Sequence, residues 1–278
     1  MNLEKQVGGK EGLYPDSARL YRSRLSGVKE RLEGYTPEQA SKSIITQPVS
    51  PFGISIVTGI PLFRTHDLQR DYNLMVHELK GILPNQYVYE NLRTHVAFGV
   101  MIRNNPDSSG GHEYAPVGDK KEFYKEYLDI FRQIDFKPFS LKVEGIYPPG
   151  IMLFDLGDNE EELFKIRRQI SELLEEKRSR NPEFYFARRD GKPDVGTGIV
   201  HATFWRPYNI DEITEEFSRY RKFLAEVNKE INEGLLFPDP IQIDEIAFIE
   251  PRVSRQISLG DYYTDEIIER KIASNATI

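Results

Sequence analysis

The chain has 278 residues, 39% of them apolar and 12% aromatic, enough to bury a full core in one large domain or two small lobes. Its formal net charge of -7, from 44 acidic and 37 basic residues, excludes a protein whose whole surface coats nucleic acid, so any such contact is local. The absence of cysteine excludes thiol nucleophiles, cysteine zinc sites and disulfides, and the lack of a signal-like apolar segment or a membrane-length apolar run reads as a cytoplasmic protein with no membrane association.

Residues 17–34, SARLYRSRLSGVKERLEG, place Leu20, Leu25, Val28 and Leu32 near helical spacing, with Asp16 or Ser17 as cap and Gly34 as stop. A turn-rich stretch follows, and the β-branched run ISIVTGIPL opens the core near residue 52. The spacing then predicts a strand over 53–62, a helix near 68–81, a strand over 86–102, a helix near 120–134 and a strand pair across 139–157. The cycle repeats with a helix over 159–180, whose apolar stripe is Leu163, Ile166, Ile170 and Leu173, then a strand over 196–207, a helix over 211–231 and a strand over 241–251. Two comparable halves of mixed elements are an α+β arrangement rather than a long parallel array. Residues 1–51 read as an N-terminal helix and linker, 52–252 as the two-lobed domain and 253–278 as a C-terminal tail.

Two stretches interrupt this order. Residues 103–121 form a long turn-rich loop containing His112, of a length typical of lids and binding loops. Residues 177–194 interleave Lys177, Arg178, Arg180, Arg188, Arg189 and Lys192 with Phe184, Tyr185 and Phe186, the one obvious basic and aromatic patch in an acidic protein. Arg188, Arg189 and Tyr185 are candidate polynucleotide contacts, with a solvated surface loop as the other reading.

The chemistry is carried by a pair of histidines. In GTGIVHATFWRP, residues 196–207, His201 and Thr203 share one face of an alternating run, and in ENLRTHVAFGVM, residues 90–101, His95 and Ala97 do the same. If the halves are related by a pseudo-twofold axis, the two histidines meet across a cleft. Alternation also puts Trp205 on the His201 face, where an indole would stack on a base, although a core position suits a lone tryptophan equally. It puts Arg206 on the opposite face unless a bulge or a bend at Pro207 turns it back. Gly99, next along the Ala97 face, suggests room for a larger group against that strand.

With these motifs the chain resembles the 2H phosphoesterase (LigT-like) superfamily, whose hallmark is two His-x-Thr/Ser motifs on facing strands. HATFWR matches the fuller His-x-Thr-x-x-Arg form at His201, Thr203 and Arg206, and YENLRTHVAF resembles the first motif, with the likeness running from about residue 52 to 252. The resemblance implies a two-lobed fold with two sheets lining a cleft and a monomeric phosphodiesterase that needs no metal or other cofactor. Its substrate would be a 2′,3′-cyclic phosphate or a 2′-linked phosphodiester, on an RNA 3′ end or a small nucleotide. His201 would act as base toward water and His95 as acid toward the leaving oxygen, or the reverse, because imidazole titrates near working pH. Thr203 would bind a nonbridging oxygen, with Arg206 offsetting its charge. The departure is Ala97, where the family carries a hydroxyl; a methyl group donates no hydrogen bond to phosphate. A noncatalytic RNA- or nucleotide-binding module with a degenerate site is therefore the alternative.

Other motifs are absent. HELKG at residues 77–81 is not a zinc-protease pattern, GTG lacks the rest of a dinucleotide fingerprint, and no P-loop or Gly-x-Ser-x-Gly sequence occurs. His66 and His77 have no partner motif of the kind that joins His95 and His201.

Overall fold

The computed structural model describes residues 17–41, 53–89, 91, 94–103, 112–113, 123–148, 150–189, 192–195, 199–206, 209–252 and 264–274. In chain order the elements are α1 (Ala18–Glu33), α2 (Pro37–Ser41), β1 (Gly53–Thr58), α3 (His66–Ile82), β2 (Tyr87–Val88), β3 (Ala97–Arg103), β4 (His112–Glu113) and α4 (Tyr124–Gln133). They continue with β5 (Phe139–Tyr147), β6 (Ile151–Leu156), α5 (Glu161–Arg180), β7 (Arg188–Arg189), β8 (Lys192–Pro193), β9 (Val200–Thr203), β10 (Trp205–Arg206), α6 (Ile210–Asn232), β11 (Ile241–Ile243), β12 (Glu245–Arg252) and β13 (Thr264–Ile272).

The helices form where apolar residues recur at three- and four-residue spacing. In α1 the buried residues are Ala18, Tyr21, Leu25, Val28 and Leu32, a single stripe on the helix that packs on β5 and β6. The Thr65 hydroxyl caps α3 by accepting from the Leu68 amide, and the Asn209 side chain caps α6 by accepting from the Glu212 amide at 3.2 Å.

Two four-stranded sheets organise the chain, in the orders β13-β12-β1-β3 and β11-β5-β6-β9, and every pairing within them is antiparallel. The halves correspond: β1–α3–β3 in one matches β6–α5–β9 in the other, and each half sends its next long strand, β5 or β12, into the opposite sheet. One continuous core joins both sheets, with Phe98 of β3 packed on Phe139 of β5 and Tyr124 and Phe131 of α4 packed on Phe248 of β12. This is the two-lobed α+β architecture expected from the sequence. Because of the strand exchange, neither lobe has a core of its own.

Several segments differ from the sequence expectation, among them the strand expected over 241–251, which is divided at Asp244 into β11 and β12 in different sheets. The strand expected over 86–102 is two short pieces, β2 and β3, because Thr94 turns the chain back on Asn91 through Oγ1 to the Asn91 carbonyl at 2.7 Å. The strand expected over 196–207 is likewise divided at Phe204. Thr264–Ile272, read in the sequence as part of a tail, is β13, paired with β12 from Glu245 to Arg252. Most of the loop at 103–121 lies outside the described residues, as do Gly196 to Gly198 and Pro207.

Candidate active site

The edge strands β3 and β9, one from each sheet, lie against each other. Their chain segments are also tied by a two-stranded ladder, with Val88 opposite Trp205 and Tyr87 opposite Arg206, and by the Tyr89 amide, which donates to the Phe204 carbonyl at 2.9 Å. The stretch leading to His95 therefore runs beside the stretch leaving Thr203. Sequence separation of more than one hundred residues is closed by this short cross-lobe ladder.

Within each stretch the side chains alternate in the same way. Thr94, Val96 and Phe98 are buried while His95 and Ala97 are half-buried, and Val200, Ala202 and Phe204 are buried while His201 and Thr203 are half-buried. The apolar residues are drawn into the shared core, and this burial turns each histidine toward the opposite, accessible face. Backbone bonds hold both stretches. The Thr58 amide donates to the Val96 carbonyl at 2.9 Å, and the Thr58 hydroxyl accepts from the Val96 amide at 3.0 Å, locking the residue next to His95. On the other side, β9 is in register with β6 so that His201 lies opposite Leu153 and Thr203 opposite Ile151.

The division of the second strand overturns one expectation. After Thr203 the chain leaves the sheet: the Phe204 amide donates to the Gly150 carbonyl at 2.9 Å, and both Phe204 and Trp205 are buried. Two consecutive inward residues break the alternation, so Trp205 does not share the His201 face. It is 1% exposed, packs edge-on against Tyr220 and donates its indole N–H to the Tyr220 hydroxyl at 2.8 Å. Burial raises the Tyr220 phenol above its ordinary range and keeps it protonated. Trp205 is a core residue and offers no stacking surface to a base. The backbone of Arg206 pairs with Tyr87.

The room inferred beside Ala97 is also corrected. Val57 pairs with Ala97 and Ile56 with Gly99, so a bulge at Phe98 takes Gly99 out of the Ala97 phase. A Cβ on Gly99 would meet Ile170 of α5 at 3.2 Å, which means helix packing already fills that side. Ala97 instead packs beside Val57, Ile60, Ala247 and Ile249, a small apolar cluster apart from the main core.

The basic stretch is only partly a surface loop. Lys177, Arg178 and Arg180 form the last turn of α5, where cations complement the helix C-terminus. Phe184 and Phe186 are core residues at 2% and 0% exposure, not stacking platforms. Arg188 lies with its guanidinium 5.5 Å from the Phe186 ring and 3.3 Å from the Glu175 carboxylate, so it has internal partners. Tyr185 is half-buried, and its carbonyl accepts from the Tyr127 hydroxyl. Arg189 pairs with His112 in a small sheet of order β4-β7-β8, bringing the loop histidine and the basic stretch together.

Sequence reasoning passed over the residues that hold the two stretches. Thr58 and Gly150 act through backbone contacts and Tyr220 through the Trp205 indole N–H, none of which spacing reveals; only Gly150, in a Pro-Pro-Gly turn, carried a local sign of a tight bend. Among the described residues no group of three or more His, Asp or Glu side chains is arranged to hold a metal ion, and no helix is long and apolar enough to cross a membrane.

No protein-family profile matches the chain, and no curated protein matches it in sequence. Among solved structures it is similar to E. coli LigT in apo form, at 8% identity over 81% of this chain and 99% of that one, with a TM-score of 0.40. It is similar to E. coli LigT complexed with 3′-AMP at 10% identity, over 81% and 100% of the two chains, with a TM-score of 0.39. Kluyveromyces marxianus Usb1 is similar at 12% identity over 72% and 95% of the chains, also with a TM-score of 0.39.

Proposed function

We propose that the chain is a metal-independent phosphodiesterase that opens a 2′,3′-cyclic phosphate, or a related 2′-linked phosphodiester, on an RNA end or a small nucleotide. One observation carries the reading: residues 94–98 and 200–204 repeat the same buried and half-buried order, at two edge strands that lie against each other. Two half-buried imidazoles at such a junction suit a reaction that needs one proton removed and one supplied. Water attacks phosphorus as one imidazole takes its proton, the bond to the ribose oxygen breaks, and the other imidazolium protonates that oxygen. The sum is water added across one P–O bond. His201 is assigned the base and His95 the acid, the reverse order being chemically equivalent. Thr203, two residues from His201 on the same half-buried face, is assigned to a nonbridging oxygen, and Arg206 to the charge that develops there. Arg189 and Tyr185 are assigned to the polynucleotide part of a longer substrate.

Ala97 favours a second reading, a binding module that kept the junction and lost efficient chemistry, because the hydroxyl expected on the His95 side is missing. Incubation of the protein with 2′,3′-cyclic mononucleotides and with 2′-5′ and 3′-5′ linked oligonucleotides, all in chelator, separates the two. Turnover of a cyclic or 2′-linked substrate is the expected result. Binding without turnover of any of them establishes the binding module, and activity that chelator abolishes and metal restores overturns the metal-free mechanism.

A further inference from the structure

The N-terminal helix α1 reaches the edge strand that carries His201. Tyr21, 0% exposed, donates its hydroxyl proton to the Phe154 carbonyl of β6 and accepts from the Val200 amide of β9 at 3.2 Å. Phe154 and Val200 are the pair at the end of the β6–β9 register. The phenol thus bridges the two strands at their last rung, one residue before His201.

β9 is a four-residue strand at the edge of its sheet, and among the described residues its ladder neighbour is β6. Such a strand frays first from its ends, because few bonds oppose its opening. Its far end is held by the Phe204 amide on the Gly150 carbonyl. Its near end is held by Tyr21. We propose that Tyr21 is a positioning residue for His201, and that α1 is a working part of the site. The inference rests on the proposed function only for its effect on turnover.

The helix is anchored for this task. Arg22 pairs with Asp155 and with Glu160 at 2.7 Å, Lys29 pairs with Glu144 at 2.6 Å, and the Arg221 guanidinium of α6 donates to the Glu33 carbonyl at 3.0 Å. Burial pushes the Tyr21 phenol above its ordinary range, which keeps the proton it donates to Phe154 in place. The residue matches the requirement in size as well. Phenylalanine would fill the same space and leave two buried backbone groups without their bridge.

The test uses the full chain and two variants, Tyr21→Phe and Leu25→Ala, the second removing buried apolar contact from α1 one turn beyond Tyr21. Imidazole NMR signals report each histidine without any assay of activity. The Tyr21→Phe protein is expected to shift the signals and titration of His201 and leave those of His95, while Leu25→Ala leaves both, at a temperature where all three proteins are folded. The Val200 amide of the unmodified protein is expected to be protected from hydrogen exchange and to exchange about tenfold faster in Tyr21→Phe. In turnover of a cyclic mononucleotide, Tyr21→Phe is expected to lower kcat about tenfold with KM within about twofold, as for a misplaced proton-transfer group. An unprotected Val200 amide in the unmodified protein, unchanged His201 signals in Tyr21→Phe, or equal shifts in Leu25→Ala overturns the inference. A protein that turns over no phosphodiester but shows the NMR and exchange pattern overturns the proposed function alone.

Discussion

At the scale of single residues, the two motif stretches differ most at one position, Ala97 against Thr203. Both occupy the half-buried side of their strands, but Ala97 lies against the small apolar cluster of Val57, Ile60, Ala247 and Ile249 and carries no hydroxyl. Ala97→Thr adds one. Since the position is half-buried rather than closed, the added atoms have an accessible side to occupy, and one donor to developing oxyanion charge contributes roughly 2.7 to 4 kcal/mol when well placed. Turnover in the Ala97→Thr protein is expected to rise by about tenfold or more with the melting temperature almost unchanged. A stability loss of about 1 to 3 kcal/mol together with lower turnover would instead show the site closed to a larger side chain. Trp205 teaches the complementary lesson. Strict alternation put it beside His201, and the inward pair Phe204–Trp205 put it in the core, because the chain changes sheets at that point.

At the scale of elements, the candidate site depends on how β9 passes into β10. Gly150 makes that passage possible, with φ at 88° and its Cα so close to the crossing chain that a Cβ would meet the Trp205 carbonyl oxygen at 2.3 Å and the indole ring at 2.5 Å. Neither contact can be relieved by moving a flexible side-chain tip. Gly150→Ala is therefore expected to destabilise the protein by at least about 2 kcal/mol and to lower turnover as Thr203 shifts, read by thermal unfolding and by activity below the unfolding range. The helices were legible from sequence because an apolar stripe is a local property, as in α1, α3 and α5, whereas Ser17, read as the cap of α1, makes no side-chain cap bond. The long strands β1, β5, β6 and β12 were legible for the same reason. What was not legible is where strands break and which sheet they join. β2–β10 and β7–β8 have two residues per strand, too short for a period of two to register, and β13 carries charges on much of its length as an outer strand. His95 and His201 could be paired by their matched surroundings. The hydroxyls of Thr58 and Tyr21 that secure them could not, since they act on backbone far away in sequence.

At the scale of the whole molecule, the exchange of β5 and β12 between sheets makes one cooperative unit, and β13 closes its outer edge. That strand is tied to the end of α4 by two carboxylates. Glu269 pairs with Arg132 at 2.7 Å, and this holds its pKa below the ordinary 4.5; Asp135 accepts from the Ser274 hydroxyl, which holds its pKa below the ordinary 3.8, with Lys165 and Lys271 adding to the effect. Carboxylates whose pKa is depressed by folding contribute stability that is complete above their unfolded values and is lost as pH falls through the folded ones. Between about pH 5 and 3 the melting temperature of the unmodified protein is expected to fall more steeply than that of an Arg132→Ala, Ser274→Ala double variant, and parallel curves would contradict that attachment. The same single unit lays the stretches that carry His95 and His201, 106 positions apart in the chain, beside each other. Whether the two histidines share one reaction is read from turnover of a 2′,3′-cyclic mononucleotide in chelator by the unmodified protein, His95→Ala, His201→Ala and the double variant. Each single variant is expected to lose about 10²-fold or more, with the double variant losing far less than the product of the two. Full activity in either single variant would contradict a shared reaction.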